Sequence, residues 1–224
     1  TGPELCKFEA HEVVALLRAK EVSSTELIDA ALARIAQTGP LINATPTLCE
    51  ARARAVDLSN HDSTQAGWLA GLPITIKDLN AVSGVRTTFG TKGLADFIPQ
   101  KSDPLVDQLE QRGAVILGKT NTPEFGAGGN TFNDVFGQTR NPWNTALNPG
   151  GSSGGAAASL AAGEIWLSHG SDHGGSLRTP AAYCGIVGLR PSPGIAGGPG
   201  QDAAFIIEGV QGPMARSVRD CALF

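Results

Sequence analysis

The stretch at residues 150–180 reads GGSSGGAAASLAAGEIWLSHGSDHGGSLRTP, and it contains two serine-bearing turns that are rich in glycine. Between the turns, the small residues at 156–162 predict a tightly packed helix, and residues 165–168 predict a buried strand. Glycine is used where a backbone needs positive φ or must approach another group closely. The two turns, at 149–155 and 170–175, therefore predict a site built largely from backbone.

Upstream of this stretch, strands alternate with helices. Residues 73–76 predict a strand that ends at Lys77 and Asp78, residues 104–112 a helix, and residues 114–117 a second buried strand. Such alternation is typical of an α/β fold with a layered sheet.

The first third of the chain is predicted to be mainly helical. Residues 9–20 carry an apolar stripe at helical spacing, and Ser23 with Glu26 forms a capping box that opens a second helix. A short strand at 45–48 is predicted to lead into a further helix at 50–58.

Two other segments bear on the extent of the domain. Residues 122–155 show little periodicity and predict a long loop, which in a compact domain is often functional. Residues 217–224 predict the first two turns of a helix, and the sequence stops there. We therefore expect a polypeptide truncated at its C-terminus.

The composition excludes several classes of function. Of 224 residues, 41% are hydrophobic and 17% are charged, and the net charge of −4 argues against a nucleic-acid-binding face. No apolar run is long enough for a membrane span, and the N-terminus lacks the features of a secretory signal. The four cysteines and four histidines show no metal-ligand spacing. We expect a cytoplasmic protein without metal or cofactor.

Two short stretches match the letters of known catalytic or binding motifs but lack the structural context that those motifs need. Residues 113–120, GAVILGKT, match the phosphate-loop pattern, but four large apolar residues occupy the place of the bare loop, so a buried strand is expected. Residues 150–154 match G-x-S-x-G, but neither a preceding strand nor a later catalytic histidine is evident.

Three segments together indicate nucleophilic catalysis. They are GLPITIKD with Lys77, PGGSSGG with Ser152, and GSDHGGSLRTP with Ser176. In the last, the backbone amides of His173, Gly174, Gly175 and Ser176 can converge as an oxyanion hole. Taken singly, the segments are also compatible with a surface lysine, a flexible linker and a helix-capping turn.

These segments resemble the amidase signature family. The resemblance extends from about residue 72 to 223 and includes GAVILGKTNTPEF and EGVQGPMARSVRD. The resemblance implies a mixed β-sheet core flanked by helices, in one catalytic domain over residues 1–224. Its N-terminal helices would occupy 1–65 and its catalytic core 66–224. It also implies that Lys77 is the general base, Ser152 the proton relay and Ser176 the nucleophile, with a cis peptide bond before Ser152.

The neighbours of these residues have expected roles of their own. Asp172 and Arg178 are predicted to form a structural pair, Ser153 to support its turn, and Gly126 to begin a loop that lines the acyl pocket. A buried lysine without a carboxylate partner has a depressed pKa, which a general base requires. If Asp78 instead pairs with Lys77, the lysine stays charged and the role fails.

The expected function is hydrolysis of a small-molecule amide through an acyl-enzyme intermediate. The alternatives are the glutamine-hydrolysing amidase subunit of a tRNA-dependent amidotransferase, which works with partner subunits, and an inactive fragment or interaction module. The chain is also expected either to form a homo-oligomer or to lack a C-terminal portion. His173 stands where relatives more often carry threonine or isoleucine, but a position that contributes only its backbone N–H tolerates that change.

Overall fold

The computed structural model describes residues 2–196 and 208–224, and its core is a six-stranded mixed sheet in the order β1-β3-β2-β6-β8-β7. The strands in chain order are β1 Thr47–Leu48, β2 Pro73–Lys77, β3 Val115–Thr120, β4 Phe132–Asn133, β5 Gly137–Gln138, β6 Leu167–Asp172, β7 Val187–Gly188 and β8 Val210–Ala215. Strands β4 and β5 pair with each other outside the main sheet. The predicted α/β fold is confirmed.

Strand β2 runs parallel to both of its neighbours, β3 and β6, and these three strands are almost wholly buried. Their carboxyl ends, at Lys77, Thr120 and Asp172, therefore lie at one edge of the sheet. Ligand sites of α/β proteins form at this edge.

The helices pack around this sheet. In chain order they are α1 Ala10–Arg18, α2 Ser24–Ile42, α3 Glu50–Arg54, α4 Pro104–Gln111, α5 Gly154–Ala161, α6 Arg178–Cys184 and α7 Val218–Cys221. The predicted capping box is present, because the Ser23 side chain accepts from the amide of Glu26, whose carboxylate accepts the Ser23 amide. Within the two described ranges, no helix has the length and apolar character needed to cross a bilayer.

Several elements differ in extent from those predicted. The helix predicted at 50–58 ends at Arg54, and the strand predicted at 114–117 continues to Thr120 along its pairing with β2. The strand predicted at 165–168 runs from Leu167 to Asp172, into the predicted glycine turn, because β8 pairs with all of it. The loop predicted at 122–155 contains β4, β5 and the start of α5.

The first turn of α5 lies very close to the end of β3. A Cβ atom on Gly155 would lie 2.4 Å from the backbone nitrogen of Asn121, so no residue larger than glycine fits there without a shift. This close approach places Ser152 and Ser153, which immediately precede the helix, at the edge of the sheet where Lys77 ends β2.

Candidate active site

Lys77 is fully buried, and its Nζ atom lies among three serine hydroxyls. It is 2.6 Å from Oγ of Ser152, 2.9 Å from Oγ of Ser153 and 3.0 Å from Oγ of Ser171. No carboxylate among the described residues forms an ion pair with it. The structure thus brings two of the three sequence-predicted catalytic residues, Lys77 and Ser152, into direct contact.

The three hydroxyls differ in what else they bind. Ser153 Oγ lies 3.2 Å from the backbone oxygen of Ser171 and donates to it, so it accepts from Lys77. The hydroxyls of Ser152 and Ser171 contact Lys77 alone among the described residues. Since a free hydroxyl can donate or accept, one of these two can donate to the lone pair of a neutral amine.

Burial lowers the pKa of Lys77 to about 7, and the negative charge of Asp172 opposes this change. Ser153, whose hydroxyl contacts Nζ, is the N-cap residue of α5, so the positive end of the helix dipole also faces the amine. Near neutral pH, the geometry therefore favours a substantial fraction of neutral amine.

Asp78 does not hold Lys77 in its charged form. Its carboxylate accepts hydrogen bonds from the amide and hydroxyl of Thr88 and pairs with Lys119, whose Nζ is 3.2 Å from Oδ1. The condition under which the base role would fail is therefore not met in this structure.

Ser176 lies in the turn between β6 and α6. Its backbone oxygen accepts from the amide of Ser153 at 3.2 Å, which joins this turn to the Ser152–Ser153 segment. Gly175, directly before it, has φ +111°, a conformation that a residue with a Cβ rarely adopts. The Ser176 side chain is partly exposed, and its hydroxyl makes no hydrogen bond to another described residue.

The predicted oxyanion hole needs one correction. The amide of Gly175 donates to Oδ1 of Asp172 at 2.8 Å, because the carboxylate folds back over the start of the turn. The amides of His173, Gly174 and Ser176 bind no described acceptor. Three of the four predicted donors thus remain available, and Gly175 supports the turn instead.

Asp172 anchors this turn and pairs with two arginines, whereas the sequence analysis named one. Arg178 contacts both of its carboxylate oxygens at 3.0 and 3.2 Å, and Arg190 donates to Oδ1 at 3.1 Å. Burial opposes ionisation of Asp172, but the hydrogen bonds from Arg178, Leu177 and Gly175 outweigh it and hold its pKa below the usual range. Asp172 is therefore a charged structural anchor.

Neither histidine near the glycine turns is placed as a base. His173 is exposed. His169 is buried, and its Nε2 lies 3.0 Å from Gln211. Burial, followed by the charge of Lys77, lowers the pKa of His169 to about 3, so it stays neutral.

The loop that begins at Gly126 packs against Ser152, the serine predicted to relay the proton. A Cβ atom on Gly126 would lie 3.5 Å from Oγ of Ser152, and a cavity of about 420 Å³ is lined by the residues that follow, among them Gly128 and Asn130. The peptide bond between Gly151 and Ser152 is cis, as the resemblance implies.

Sequence reasoning missed Ser171 and Arg190. A signal for Ser171 was present, because it lies one residue before the end of β6, which runs parallel to β2, and so lies near the edge where Lys77 ends its strand. Arg190 reaches Asp172 across eighteen positions of chain, and no local pattern marks that contact.

The family model described as Amidase matches residues 26–224. This chain belongs to the amidase family. It is 42% identical to a glutamyl-tRNA(Gln) amidotransferase subunit of Anaeromyxobacter dehalogenans, covering 98% of this chain and 46% of that protein. The chain spans about half the length of the curated relatives it matches.

Solved structures give the same assignment. A bacterial aryl acylamidase superposes with a TM-score of 0.88 at 35% identity, covering 96% of this chain and 46% of that one. A 6-aminohexanoate cyclic dimer hydrolase gives 0.86 at 36% identity, covering 96% and 45%. The fold and the family agree with the resemblance found in the sequence.

Proposed function

We propose that this chain carries the catalytic machinery of an amidohydrolase that cleaves a carboxylic amide through an acyl-enzyme. The observation that carries the proposal is the buried Lys77 amine, which is surrounded by hydroxyls and unpaired with any described carboxylate. A lysine in such a setting can act as a base near neutral pH, because its pKa is depressed to about 7.

In the proposed first half-reaction, neutral Lys77 takes the proton of Ser152 while Ser152 takes the proton of Ser176. Oγ of Ser176 then forms a bond to the carbonyl carbon. The free amides of His173, Gly174 and Ser176 stabilise the oxyanion.

The proton then returns through Ser152 to the amide nitrogen. The C–N bond breaks, and the amine leaves. Water hydrolyses the resulting ester by the same route and regenerates Ser176.

The amide of glutamine is the first substrate to test. The curated relatives reported above are amidotransferase subunits, and their similarity to this chain favours a glutamine-hydrolysing subunit that works with partners. Simple amides are the second class, since an aryl acylamidase and a cyclic dimer hydrolase share the fold. All four cysteines carry free thiols, which supports the further proposal of a reducing, cytoplasmic location.

The decisive experiment is intact-mass measurement after treatment with a fluorophosphonate, which labels activated serines whatever the substrate. One adduct is expected on the native chain and none on Ser176→Ala, with Ser159→Ala as a control because that serine is buried within α5. An adduct that survives Ser176→Ala would refute the assigned nucleophile. A folded native chain that takes no label would support the inactive-fragment alternative.

Substrate class is then decided by turnover. Hydrolysis of L-glutamine, with aryl and aliphatic amides left intact, would support the amidotransferase subunit. The reverse preference would support a self-sufficient amidase.

A further inference from the structure

A second buried lysine lies on the strand next to the proposed base. Nζ of Lys119 donates to the backbone oxygen of Asn80 at 2.7 Å, to Oγ1 of Thr87 at 2.8 Å and to Oδ1 of Asp78 at 3.2 Å. A carbonyl and a carboxylate can only accept. The Thr87 hydroxyl also accepts here, because its own proton goes to the backbone oxygen of Val85. All three protons of the Lys119 ammonium are therefore used.

Asp78 connects the two lysines. It is the residue after Lys77, and its carboxylate is almost completely buried. Among the described residues, its other hydrogen-bond donors are the amide and hydroxyl of Thr88, and neither of these carries charge. Without Lys119, a buried and uncompensated carboxylate would follow directly after the proposed base.

The other groups packed around Lys77 carry little unbalanced charge. From β6, Asp172 pairs with Arg178 and Arg190, although its charge still raises the pKa of Lys77, and His169 is neutral. From the segment that immediately precedes α5 come the uncharged hydroxyls of Ser152 and Ser153. Asp78, the residue next to Lys77 in sequence, has by contrast a single cation, Lys119, as its ion-pair partner among the described residues.

We propose that Lys119 is a positioning residue for amide hydrolysis: by pairing with Asp78, it prevents this carboxylate from holding Lys77 as an ammonium ion. The inference rests on the proposed function, because it assumes that Lys77 must be neutral to act. It assigns the lysine of the rejected phosphate-loop pattern an electrostatic role in the reaction.

The expected size of the effect follows from Coulomb's law. At an effective dielectric of ~20, a unit charge about 10 Å away shifts a pKa by about one unit.

The test is the pH dependence of the second-order rate of fluorophosphonate labelling. In Lys119→Met, the midpoint of the rise should move up by about one pH unit, because Asp78 is uncompensated. In Asp78→Asn it should move down by about one unit, because Lys119 is then the unbalanced charge. In the double variant, which has neither charge, it should return to within about 0.3 unit of the native midpoint.

Lys7→Met serves as the matched control, since it removes a lysine from an exposed ion pair with Glu4 and should leave the midpoint unchanged. If Lys119→Met fails to fold, Asp78→Asn and the double variant still decide the question. Variants that label more slowly without opposite midpoint shifts would show that the pair is merely structural and overturn the inference.

Nuclear magnetic resonance of protein labelled with [ε-¹³C]lysine separates this inference from the proposed function, with the Lys77 signal assigned by its loss in Lys77→Met. If the pKa of Lys77 shifts in the variants but the labelling midpoint does not follow, Lys77 is not the base, and the positioning role that depends on it falls as well. If the native pKa and midpoint coincide and neither moves in the variants, the base role stands and the inference is overturned.

Discussion

Lys77 and Lys119 lie on neighbouring parallel strands, and both are fully buried. Each has three hydrogen-bonding partners among the described residues. The partners of Lys119 all accept and include a carboxylate, so they favour the ammonium form. The partners of Lys77 are three serine hydroxyls, two of which are free to donate. Burial lowers the pKa of both lysines, and at Lys119 the charge of Asp78 opposes it. The chemistry of the partners, rather than burial, distinguishes a candidate base from a structural cation.

The largest expected effect is a loss of activity when Lys77 is replaced by arginine, which keeps the positive charge. Arginine cannot be deprotonated in a protein, so Lys77→Arg should slow fluorophosphonate labelling by at least about a thousandfold. Lys119→Arg keeps the charge beside Asp78 and should lose no more than about tenfold. Circular dichroism should verify the fold of both variants. If Lys77→Arg keeps a tenth of the native rate, Lys77 is a structural cation like Lys119.

Stability should change in opposite directions at the two sites. Lys119→Met leaves the Asp78 carboxylate buried and unpaired, so the free energy of unfolding should fall by about 3 kcal/mol. Lys77→Met removes a buried amine that has no carboxylate partner, so the free energy of unfolding should rise by about 1 to 2 kcal/mol at pH 7. Urea unfolding of the two variants and the native chain gives both values. Destabilisation of similar size at both sites would remove the distinction between them.

The pH dependence of this stability difference has a defined sign. The pKa of Lys77 falls from 10.5 to about 7 on folding, so the unfolded chain binds more protons between these values. The contribution of Lys77 therefore makes the native chain more stable as pH rises through this window. Lys77→Met should lack this contribution, so its stability advantage should shrink from pH 7 to pH 10.

Much of this site could be predicted from sequence, since its chemistry is carried by short local segments. Glycine around Ser152 and Ser176, and the strand ending at Lys77, indicate a backbone-built site without any tertiary information. Strand β8 was not predicted, because Gly212 and Pro213 interrupt its apolar pattern and only pairing with β6 establishes it.

Two contacts, one local and one between distant segments, account for what the sequence left open. The hydrogen bond from the Gly175 amide to Asp172 depends on how the carboxylate folds over its own turn. The pairing of Asp78 with Lys119 depends on the register between β2 and β3. Both contacts determine which groups are available for chemistry. The second joins residues 41 positions apart, a spacing that a single sequence does not reveal.

A smaller effect is expected from pH alone in the native chain. With the pKa of Lys77 at about 7, the neutral fraction of the base rises about tenfold between pH 6 and pH 8. The labelling rate should rise by the same factor and then level off. A rate that keeps climbing to pH 10 would assign to Lys77 the ordinary pKa of an exposed lysine.

The smallest expected effect is at His173, the histidine three residues before Ser176. A base at this position would make the free hydroxyls around Lys77 irrelevant and would remove the contrast with Lys119. His173 is exposed, and in the proposed reaction it contributes only its backbone amide. His173→Thr should therefore change the labelling rate by less than about tenfold. Its pH midpoint should stay near 7, because the base is unchanged. A thousandfold loss with an unchanged circular dichroism spectrum would instead favour an imidazole base, since a backbone donor survives the substitution and a side-chain base does not.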